Sequence, residues 1–303
     1  MNLFKKILSI TSILILLSLL SGYFYFDRKF TPDKNYLHVS NESGTVKIKW
    51  ENKAKKAMLL PVHFSLDTVT YYMQFDTGSP YTMFYKNSIA GISKVATAGD
   101  HAESSFKIGN SIVQSDHFKV IDFGNKPGDN AINIIGTIGT DLLENRKTVL
   151  NFKDNYVIFN LTSEPKNFEN KTFDFKFKKR KIIIPAVLEG RDEEFLYDSG
   201  TSAYQLLTNK DIWEKLKLKN SKIITEKGRS WNNLLTTYTA ETEKDIIFKN
   251  TKIPLSTMTY VEGYSKSQYY LMKFSGMSGM LGNEIFLQKQ IYFDAKNMKM
   301  GIE

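Results

Sequence analysis

The sequence contains Phe75-Asp76-Thr77-Gly78-Ser79 and, later in the chain, Tyr197-Asp198-Ser199-Gly200-Thr201. Both stretches place an aromatic residue, an aspartate, a hydroxyl residue, a glycine and a second hydroxyl residue in the same order. One such stretch alone is typical of a turn in which an aspartate bonds the backbone after a strand. A second copy indicates more than a turn if the sequence around it is also repeated.

The sequence before the two aspartates is repeated. Residues 58–64 and 69–75 match residues 182–188 and 194–197, with a proline at the fourth position of each first segment. Each set consists of two apolar, β-favouring segments separated by a short polar turn. Both sets therefore predict a β-hairpin whose second strand leads directly into an aspartate.

The sequence after the two aspartates is repeated as well. Residues 136–143 match residues 279–286, and both segments combine two glycines with large apolar residues. Asn151 and Asp294 each lie twelve positions after the second glycine of these segments. The matches on both sides indicate an internal duplication, in which two halves of the chain share one plan.

Most of the remaining segments are typical of strands. Alternating or apolar runs predict further strands at 45–50 and 81–84. Residues 106–113 and 118–121 predict a strand, an Asn-containing turn and two more strands, and residues 246–253 are their counterpart in the second half. Short helices are predicted at residues 209–216, entered by Thr208, and directly after Gly139 and Gly282. The sequence therefore predicts a mostly β protein.

On these motifs the chain resembles the bilobal, pepsin-type aspartic peptidases, a family related to the retropepsins. The resemblance extends from about residue 45 to the C-terminus, and its specific parts are the two aspartate stretches and the apolar segments ending in Gly139 and Gly282. It implies a two-lobed acid protease fold with pseudo-twofold symmetry. We expect one lobe at 43–165 and the other at 166–303, joined near residues 163–170.

The resemblance also implies a role for each residue of the two stretches. Asp76 and Asp198 would be the catalytic pair, and Thr77 and Ser199 would hydrogen-bond across the interface between the loops. Ser79 and Thr201 would each bond the outer oxygen of their own aspartate. On steric grounds, Gly78 and Gly200 leave room for the opposite backbone to approach.

Two adjacent carboxyl groups can hydrolyse a peptide bond without a metal or a covalent intermediate. An ionised carboxylate removes a proton from water, while a protonated carboxyl polarises the carbonyl group of the substrate. Two carboxyls about 3 Å apart cannot both ionise, so they share one proton, as in the aspartic proteases. The duplication predicts that Asp76 and Asp198 meet in this way at the interface between the halves.

The N-terminus carries a membrane-targeting signal. Lys5 and Lys6 precede a mainly apolar run at residues 7–26, which is long enough to cross a bilayer as a helix. We favour an uncleaved anchor, and the small residues Ser21 and Gly22 leave cleavage of a signal peptide as the alternative. In both cases we expect residues 27–42 to form a tether and the lobes to lie outside the cytoplasm, at the cell membrane or exported.

Composition excludes several classes of site. The chain has no cysteine, so disulfides, thiol catalysis and zinc–thiolate sites are excluded. Its four histidines lack metal-ligand spacing, and no phosphate-binding loop or serine nucleophile elbow occurs, so we expect no metal and no cofactor. The net charge is +9, and we interpret the densest basic run as a solvated surface rather than a nucleic-acid site. That run consists of Lys176, Lys178, Lys179, Arg180 and Lys181.

The leading functional hypothesis is an aspartic endopeptidase that acts on peptide or protein substrates as a monomer. The sequence departs from the pepsin pattern because residues 91–105 lack the tyrosine of the hairpin flap that closes over the substrate. The tryptophan expected shortly after the first aspartate stretch is also absent from residues 81–84. Residues 97–101 are the best candidate for the flap tip, and an ordinary surface loop is the alternative. A non-catalytic module that binds peptides or proteins on a pepsin-like fold is the second functional hypothesis.

Overall fold

The computed structural model describes residues 3–126, 132–230, 233–264 and 275–303. The protein is mostly β, with 45% of its residues in strands and 16% in helices, as the sequence predicted. It divides into two compact units, Met1–Asn35 and Tyr36–Glu303.

The first unit is dominated by one long helix, α1 (Leu3–Phe30). Its stretch Ser9–Phe30 is long and apolar enough to cross a membrane, and Arg28 and Lys29 lie in the last turn, where cations interact favourably with the helix dipole. The helix extends beyond the apolar run at 7–26 and into the predicted tether. Its length and composition suit either a membrane anchor or a signal sequence.

The second unit contains, among its described residues, one short helix and a long series of strands. The helix is α2 (Lys210–Leu216). The strands from the first half of the chain are β1 (His38–Ser40), β2 (Val46–Lys47), β3 (Lys49–Trp50), β4 (Met58–Phe64), β5 (Tyr71–Phe75), β6 (Met83–Tyr85), β7 (Val95–Ala98), β8 (His101–Ile108), β9 (Ser111–Ile121), β10 (Ile134–Ile138), β11 (Lys147–Asn151) and β12 (Tyr156–Phe159). The strands from the second half are β13 (Phe173–Asp174), β14 (Lys176–Lys178), β15 (Lys181–Leu188), β16 (Arg191–Tyr197), β17 (Leu206–Thr208), β18 (Ile224–Ser230), β19 (Asn233–Phe248), β20 (Thr251–Glu262), β21 (Gly279–Leu281), β22 (Gln290–Asp294) and β23 (Lys299–Ile302).

Each half of the chain builds one large sheet around an equivalent centre. In the first sheet β10 runs parallel to β5 and antiparallel to β6. In the second sheet β21 runs parallel to β16 and antiparallel to β17. The hairpins predicted before the aspartates are present as β4 with β5 and as β15 with β16. The aspartates thus follow equivalent central strands in the two sheets.

A third sheet takes strands from both halves, in the order β13, β23, β22, β11, β12, β2. Its central pair is β11 with β22, in which Lys147 pairs with Asp294 and Asn151 with Gln290. Because Asn151 and Asp294 are equivalent in the duplication, this register is unchanged when the two halves are exchanged. Val149 pairs with its own counterpart, Tyr292.

Several sequence-based boundaries differ from the structure. The single strand predicted at 45–50 is divided into β2, which pairs with β12, and β3, which pairs with β4. Within the predicted tether, β1 pairs with β9. The helix predicted at 209–216 is present as α2, although Asn209 rather than Thr208 caps it, by accepting from the Ile212 N–H at 2.9 Å. The helices predicted after Gly139 and Gly282 are short 3-10 turns, Thr140–Leu142 and Glu284–Phe286.

Candidate active site

Two loops place Asp76 and Asp198 at the ends of β5 and β16. Phe75 and Tyr197, the residues before them, are fully buried in the apolar core. The backbone N–H of Asp76 donates to the Ile138 carbonyl at 3.0 Å, and that of Asp198 donates to the Leu281 carbonyl at 2.9 Å. Both aspartates are therefore held by the strand that lies beside their own.

Four reciprocal hydrogen bonds join the two loops. The backbone N–H of Thr77 donates to Ser199 Oγ at 2.9 Å, and the N–H of Ser199 donates to Thr77 Oγ1 at 2.9 Å. The Thr77 hydroxyl donates to the Tyr197 carbonyl, and the Ser199 hydroxyl donates to the Phe75 carbonyl, both at 2.9 Å. Thr77 and Ser199 are fully buried. The cross-bonding that the resemblance implied for these two residues is present.

The glycines of the two stretches let the loops approach each other. A Cβ atom on Gly78 would lie 2.6 Å from Asp198 Oδ1, and one on Gly200 would lie 2.6 Å from Asp76 Oδ1. Each glycine N–H also donates to the aspartate of its own loop, at 2.8 Å for Gly78 and 2.9 Å for Gly200. Each carboxyl group therefore lies against the glycine of the opposite loop. The structure thus brings together the two predicted catalytic residues.

Burial makes ionisation of this pair costly. Desolvation raises the pKa of Asp76 above its usual value, although hydrogen bonds from Gly78, Asp198 and Ser79 oppose the rise. Desolvation and the charge of Asp76 raise the pKa of Asp198 to about 7. Both aspartates remain partly accessible to solvent. Under these conditions one proton is shared between the carboxyls over a wide pH range.

Ser79 and Thr201 do not act as the resemblance implied. The Ser79 hydroxyl donates to the Tyr81 carbonyl at 2.9 Å, and the Thr201 hydroxyl donates to the backbone carbonyl of Asp198 at 2.8 Å. The backbone of Ser79, rather than its hydroxyl, hydrogen-bonds the Asp76 carboxyl. The prediction that these hydroxyls bond the outer carboxylate oxygens is wrong, because both turn back to stabilise the loop backbone.

The glycines in the segments behind the loops allow close packing of the backbone. A Cβ on Gly136 would lie 2.1 Å from the Met83 carbonyl oxygen, and one on Gly279 would lie 2.4 Å from that of Leu207. Gly139 and Gly282 are equally crowded by the backbone at Tyr81 and Thr201. Side chains at these positions would push β10 and β21 away from the strands beside them.

The basic run at 176–181 is not the uniform solvated surface that the sequence suggested. Arg180 is only 4% exposed. Its Nε lies 3.1 Å from Glu144 Oε2, and its Nη1 donates to the Pro80 carbonyl at 3.3 Å. Lys181 Nζ donates to the Gly78 carbonyl within the first aspartate loop. The end of the β14–β15 hairpin therefore bonds the loop that carries Asp76.

Sequence reasoning also missed a buried carboxyl behind the first loop. Asp141 accepts hydrogen bonds from the Thr82 N–H and the Thr82 hydroxyl, both at 2.7 Å. Burial raises the pKa of Asp141 to about 6. The signal for this residue was its position two places after Gly139, where the second half has Glu284 instead. Asp141 ties the turn after β10 to the segment after Asp76.

Tyr264 is a further residue near the site with no signal in the sequence. Burial and the charge of Asp198 raise the pKa of Tyr264 to about 12, so its phenol lies within the electrostatic reach of the pair. It follows the end of β20, next to Gly263, whose φ is +99°. A neutral phenol here can donate a hydrogen bond but does not supply a base at ordinary pH.

The flap candidate at 97–101 is the tip of a β-hairpin formed by β7 and β8. Ala98 pairs with His101, and Gly99, with φ +65°, provides the tight turn. Asp100 lies 2.7 Å from His101 Nδ1. A hairpin at this position is confirmed, whereas its closure over a substrate stays a prediction.

No group of three or more metal-ligating side chains is arranged to hold an ion among the described residues. Comparison with protein-family models and with curated protein sequences returned no match to this chain.

Proposed function

We propose that the chain is an aspartic endopeptidase, in which Asp76 and Asp198 activate one water molecule to hydrolyse a peptide bond. One observation carries this proposal: the two aspartate loops are locked together by reciprocal bonds between Thr77 and Ser199. An arrangement that forces two partly accessible carboxyls into contact costs free energy, since both resist ionisation. A structural turn would need neither the pairing nor the access to solvent.

The reaction follows from the protonation state of the pair. The ionised carboxyl accepts a proton from water while the water oxygen attacks the carbonyl carbon of the peptide. The protonated carboxyl gives its proton to the carbonyl oxygen, which leaves a neutral gem-diol. In the second step a proton from the gem-diol returns to one carboxylate, the other carboxyl protonates the amide nitrogen, and the C–N bond breaks. The pair ends with one proton, as it began.

The fold of the second unit supports a two-lobed, pepsin-like arrangement as part of the proposal. Its large sheets place β10 and β21 in equivalent positions beside the strands that carry the aspartates. The central pair of the third sheet has a register that is symmetric under exchange of the halves. Under this proposal the lobes occupy 43–165 and 166–303, and one chain supplies both carboxyls, so a monomer suffices.

The substrate under this proposal is an extended segment of a peptide or protein, bound as a strand between the lobes. The apolar helix α1 would hold the enzyme at a membrane or direct its export, with the catalytic unit outside the cytoplasm. No cofactor or nucleic acid enters the reaction, because the paired carboxyls supply both the base and the acid.

The decisive test compares the full-length protein in detergent with Asp76→Asn, Asp198→Asn and the double variant on a diverse peptide pool. Each single variant should lose about 100-fold or more of the activity, in line with the usual loss of a general acid or base. The double variant should be no worse than either single variant, because the two carboxyls act as a unit. Asp192→Asn, an exposed change on the same strand as Asp198, is the matched control and should keep full activity.

A second arm of this test uses a peptide mimic with a hydroxyl group in place of the scissile carbonyl. The mimic should raise the melting temperature of the parent protein and have little effect on the single variants. The proposal fails if the parent protein cleaves no peptide from acid to neutral pH and the variants bind peptides as well as the parent. That outcome would favour a non-catalytic binding module.

A further inference from the structure

Lys181 binds the first aspartate loop although it belongs to neither aspartate stretch. In the β15–β16 ladder Ile182 pairs with Tyr197, so the next step of the same register sets Lys181 opposite Asp198. The Lys181 side chain then reaches the other loop, where Nζ donates to the Gly78 carbonyl. This one residue connects the strand pair that carries Asp198 to the loop that carries Asp76.

Gly78 is in contact with both carboxyl groups. Its N–H donates to Asp76 Oδ1 at 2.8 Å, and its Cα hydrogens face Asp198, since an added Cβ would be 2.6 Å from Asp198 Oδ1. An ammonium group bonded to the Gly78 carbonyl is therefore bound to the residue that contacts both carboxyls. A cation at such a distance favours the ionised form of a carboxyl group.

The first half of the chain has no counterpart of this cation. The proline of β4 and the proline of β15 are equivalent, and by the same count Lys181 corresponds to Ala57. The register of β4 with β5, in which Leu59 pairs with Gln74, sets Ala57 opposite Asp76. Ala57 is buried and carries no charge. The lysine is thus an asymmetric addition to a symmetric pair of loops.

We propose that Lys181 is a positioning residue for the aspartate pair, which ties the two loops together and sets the pH range in which the pair hydrolyses peptides. This inference rests on the proposed function, because it concerns the same two carboxyls. Lys181 acts through Asp76 and Asp198 and need not touch the substrate.

The electrostatic surroundings support this role. The charge of Lys181 lowers the pKa of both Asp76 and Asp198, against the burial that raises both. Among the residues that the structure describes, the other titratable or charged groups around the pair include the phenols of Tyr85, Tyr197 and Tyr264 and, behind the first loop, Asp141, Glu144 and Arg180. The phenols have raised pKa values and stay neutral, and Arg180 is paired with Glu144. Lys181 is the cation whose field reaches both members of the pair.

The sign of the effect follows directly. A nearby positive charge stabilises carboxylates, so removing it raises the pH at which the first carboxyl ionises and the pH at which the shared proton is lost. Both limbs of the pH–rate profile should therefore move to higher pH when the lysine is neutralised. The expected movement is about one pH unit, the lower end of the effect of one close opposite charge on a carboxyl group.

The test measures kcat/KM of the full-length protein in detergent as a function of pH for Lys181→Met, Lys181→Arg and Lys178→Met. Lys181→Met should move both limbs upward, while Lys181→Arg should keep them near the parent positions. Lys178→Met removes the same charge from the opposite, exposed position of the hairpin and should move them much less. Unchanged limbs in Lys181→Met, or an equal movement in Lys178→Met, would overturn the proposal.

A direct titration separates this inference from the proposed function. Carbon-13 NMR of aspartate-labelled protein reports ionisation of the pair whether or not any peptide is cleaved, and Asp76→Asn and Asp198→Asn assign the signals. If the parent protein proves inactive but Lys181→Met still raises the titration midpoints, the proposed function fails and the role of Lys181 stands. If Lys181→Met does not fold, Lys181→Gln is titrated instead, and unchanged midpoints in it would refute the proposal.

Discussion

The Asp76 loop and the Asp198 loop share their backbone bonding but differ in their charges. In both loops the backbone N–H of the aspartate donates to a carbonyl of the neighbouring strand, and the N–H of the glycine two positions later donates to the carboxyl. The hydroxyl residue between them hydrogen-bonds the other loop. When the two strand registers are extended to the aspartates, however, the position opposite Asp76 is Ala57, whereas the position opposite Asp198 is Lys181.

The segments behind the loops differ in their hydrogen bonding. After Gly139, Asp141 is buried and binds Thr82 through two hydrogen bonds. After Gly282, burial also raises the pKa of the equivalent acid, Glu284, but the neighbouring Asn283 makes the bonds to the loop: it accepts from the Tyr197 hydroxyl at 2.7 Å and donates to Ser202 Oγ at 2.9 Å. The two halves are alike at the residues that set the distance between the carboxyls. They differ at residues that affect the pKa values of the carboxyls.

The largest expected effect tests the shared part of this comparison. Gly78→Ala and Gly200→Ala each place a methyl group 2.6 Å from the opposite carboxyl, so the loops must separate. Because displacements near 1 Å cost about 100-fold in rate, each variant should lose that much of kcat/KM or more. Losses that differ greatly between the two variants would show that the loops are not equivalent. Gly190→Ala, a glycine with no atom near its added Cβ but with φ +72°, controls for general backbone effects.

The next effect concerns the cross-bonds. Thr77→Val and Ser199→Ala each leave a buried carbonyl and a buried N–H without a partner. With about 1–3 kcal/mol for each unsatisfied group, either variant should lose about 2–6 kcal/mol of unfolding free energy. The double variant should lose less than the sum, since the two residues share one network. Chemical denaturation of the parent and the three variants measures this, and strict additivity would contradict a shared network.

A smaller effect concerns stability as a function of pH. Both aspartates have folded-state pKa values above the ordinary value of 3.8, about 7 for Asp198. Their contribution to stability is therefore complete below pH 3.8 and is lost as the pH rises towards 7. Asp198→Asn removes this loss and should be more stable than the parent protein at pH 8, by about 1–3 kcal/mol.

The pH dependence of that difference is the critical observation. It should shrink towards zero below about pH 4, where the parent carboxyls are protonated as well. The buried Asp141 is common to both proteins and cancels. Asp192→Asn, which changes an exposed carboxyl on the same strand, should show no such trend. If the stability difference is the same at pH 4 and pH 8, ionisation of the pair does not reduce the free energy of unfolding, and the prediction is wrong.

The smallest effect tests the asymmetry itself. If the lysine acts through its charge near the pair, moving it to the equivalent position should restore part of its effect. Compared with loss of the lysine alone, the double variant Ala57→Lys with Lys181→Ala should move both limbs of the pH–rate profile back towards the parent positions, by a few tenths of a pH unit. Ala57→Met with Lys181→Ala adds similar bulk without charge and should not move them. Equal profiles for the two double variants would show that position 57 does not face the pair.

The sequence by itself determined the β character, the two hairpins, the two aspartates and the crowded glycines. These features depend on local patterns, and the duplication doubled each pattern, so a weak four-residue motif became a firm prediction. The hairpin at 97–101 and α2 could also be predicted from the sequence, because alternation and capping depend on only a few neighbouring residues. The apolar helix needed only length and composition.

Tertiary structure alone decided which atoms surround the two carboxyls. Lys181 and Gly78 are 103 positions apart, and only the register of β15 with β16 brings the ammonium group to the first loop. In the same way, Asp141 finds Thr82 across 59 positions, and the hydroxyls of Ser79 and Thr201 choose backbone carbonyls over the carboxylates. A local pattern specifies which face of a strand a side chain occupies. The residues that it contacts on that face come from distant strands, and burial among them shifts the pKa of a carboxyl group.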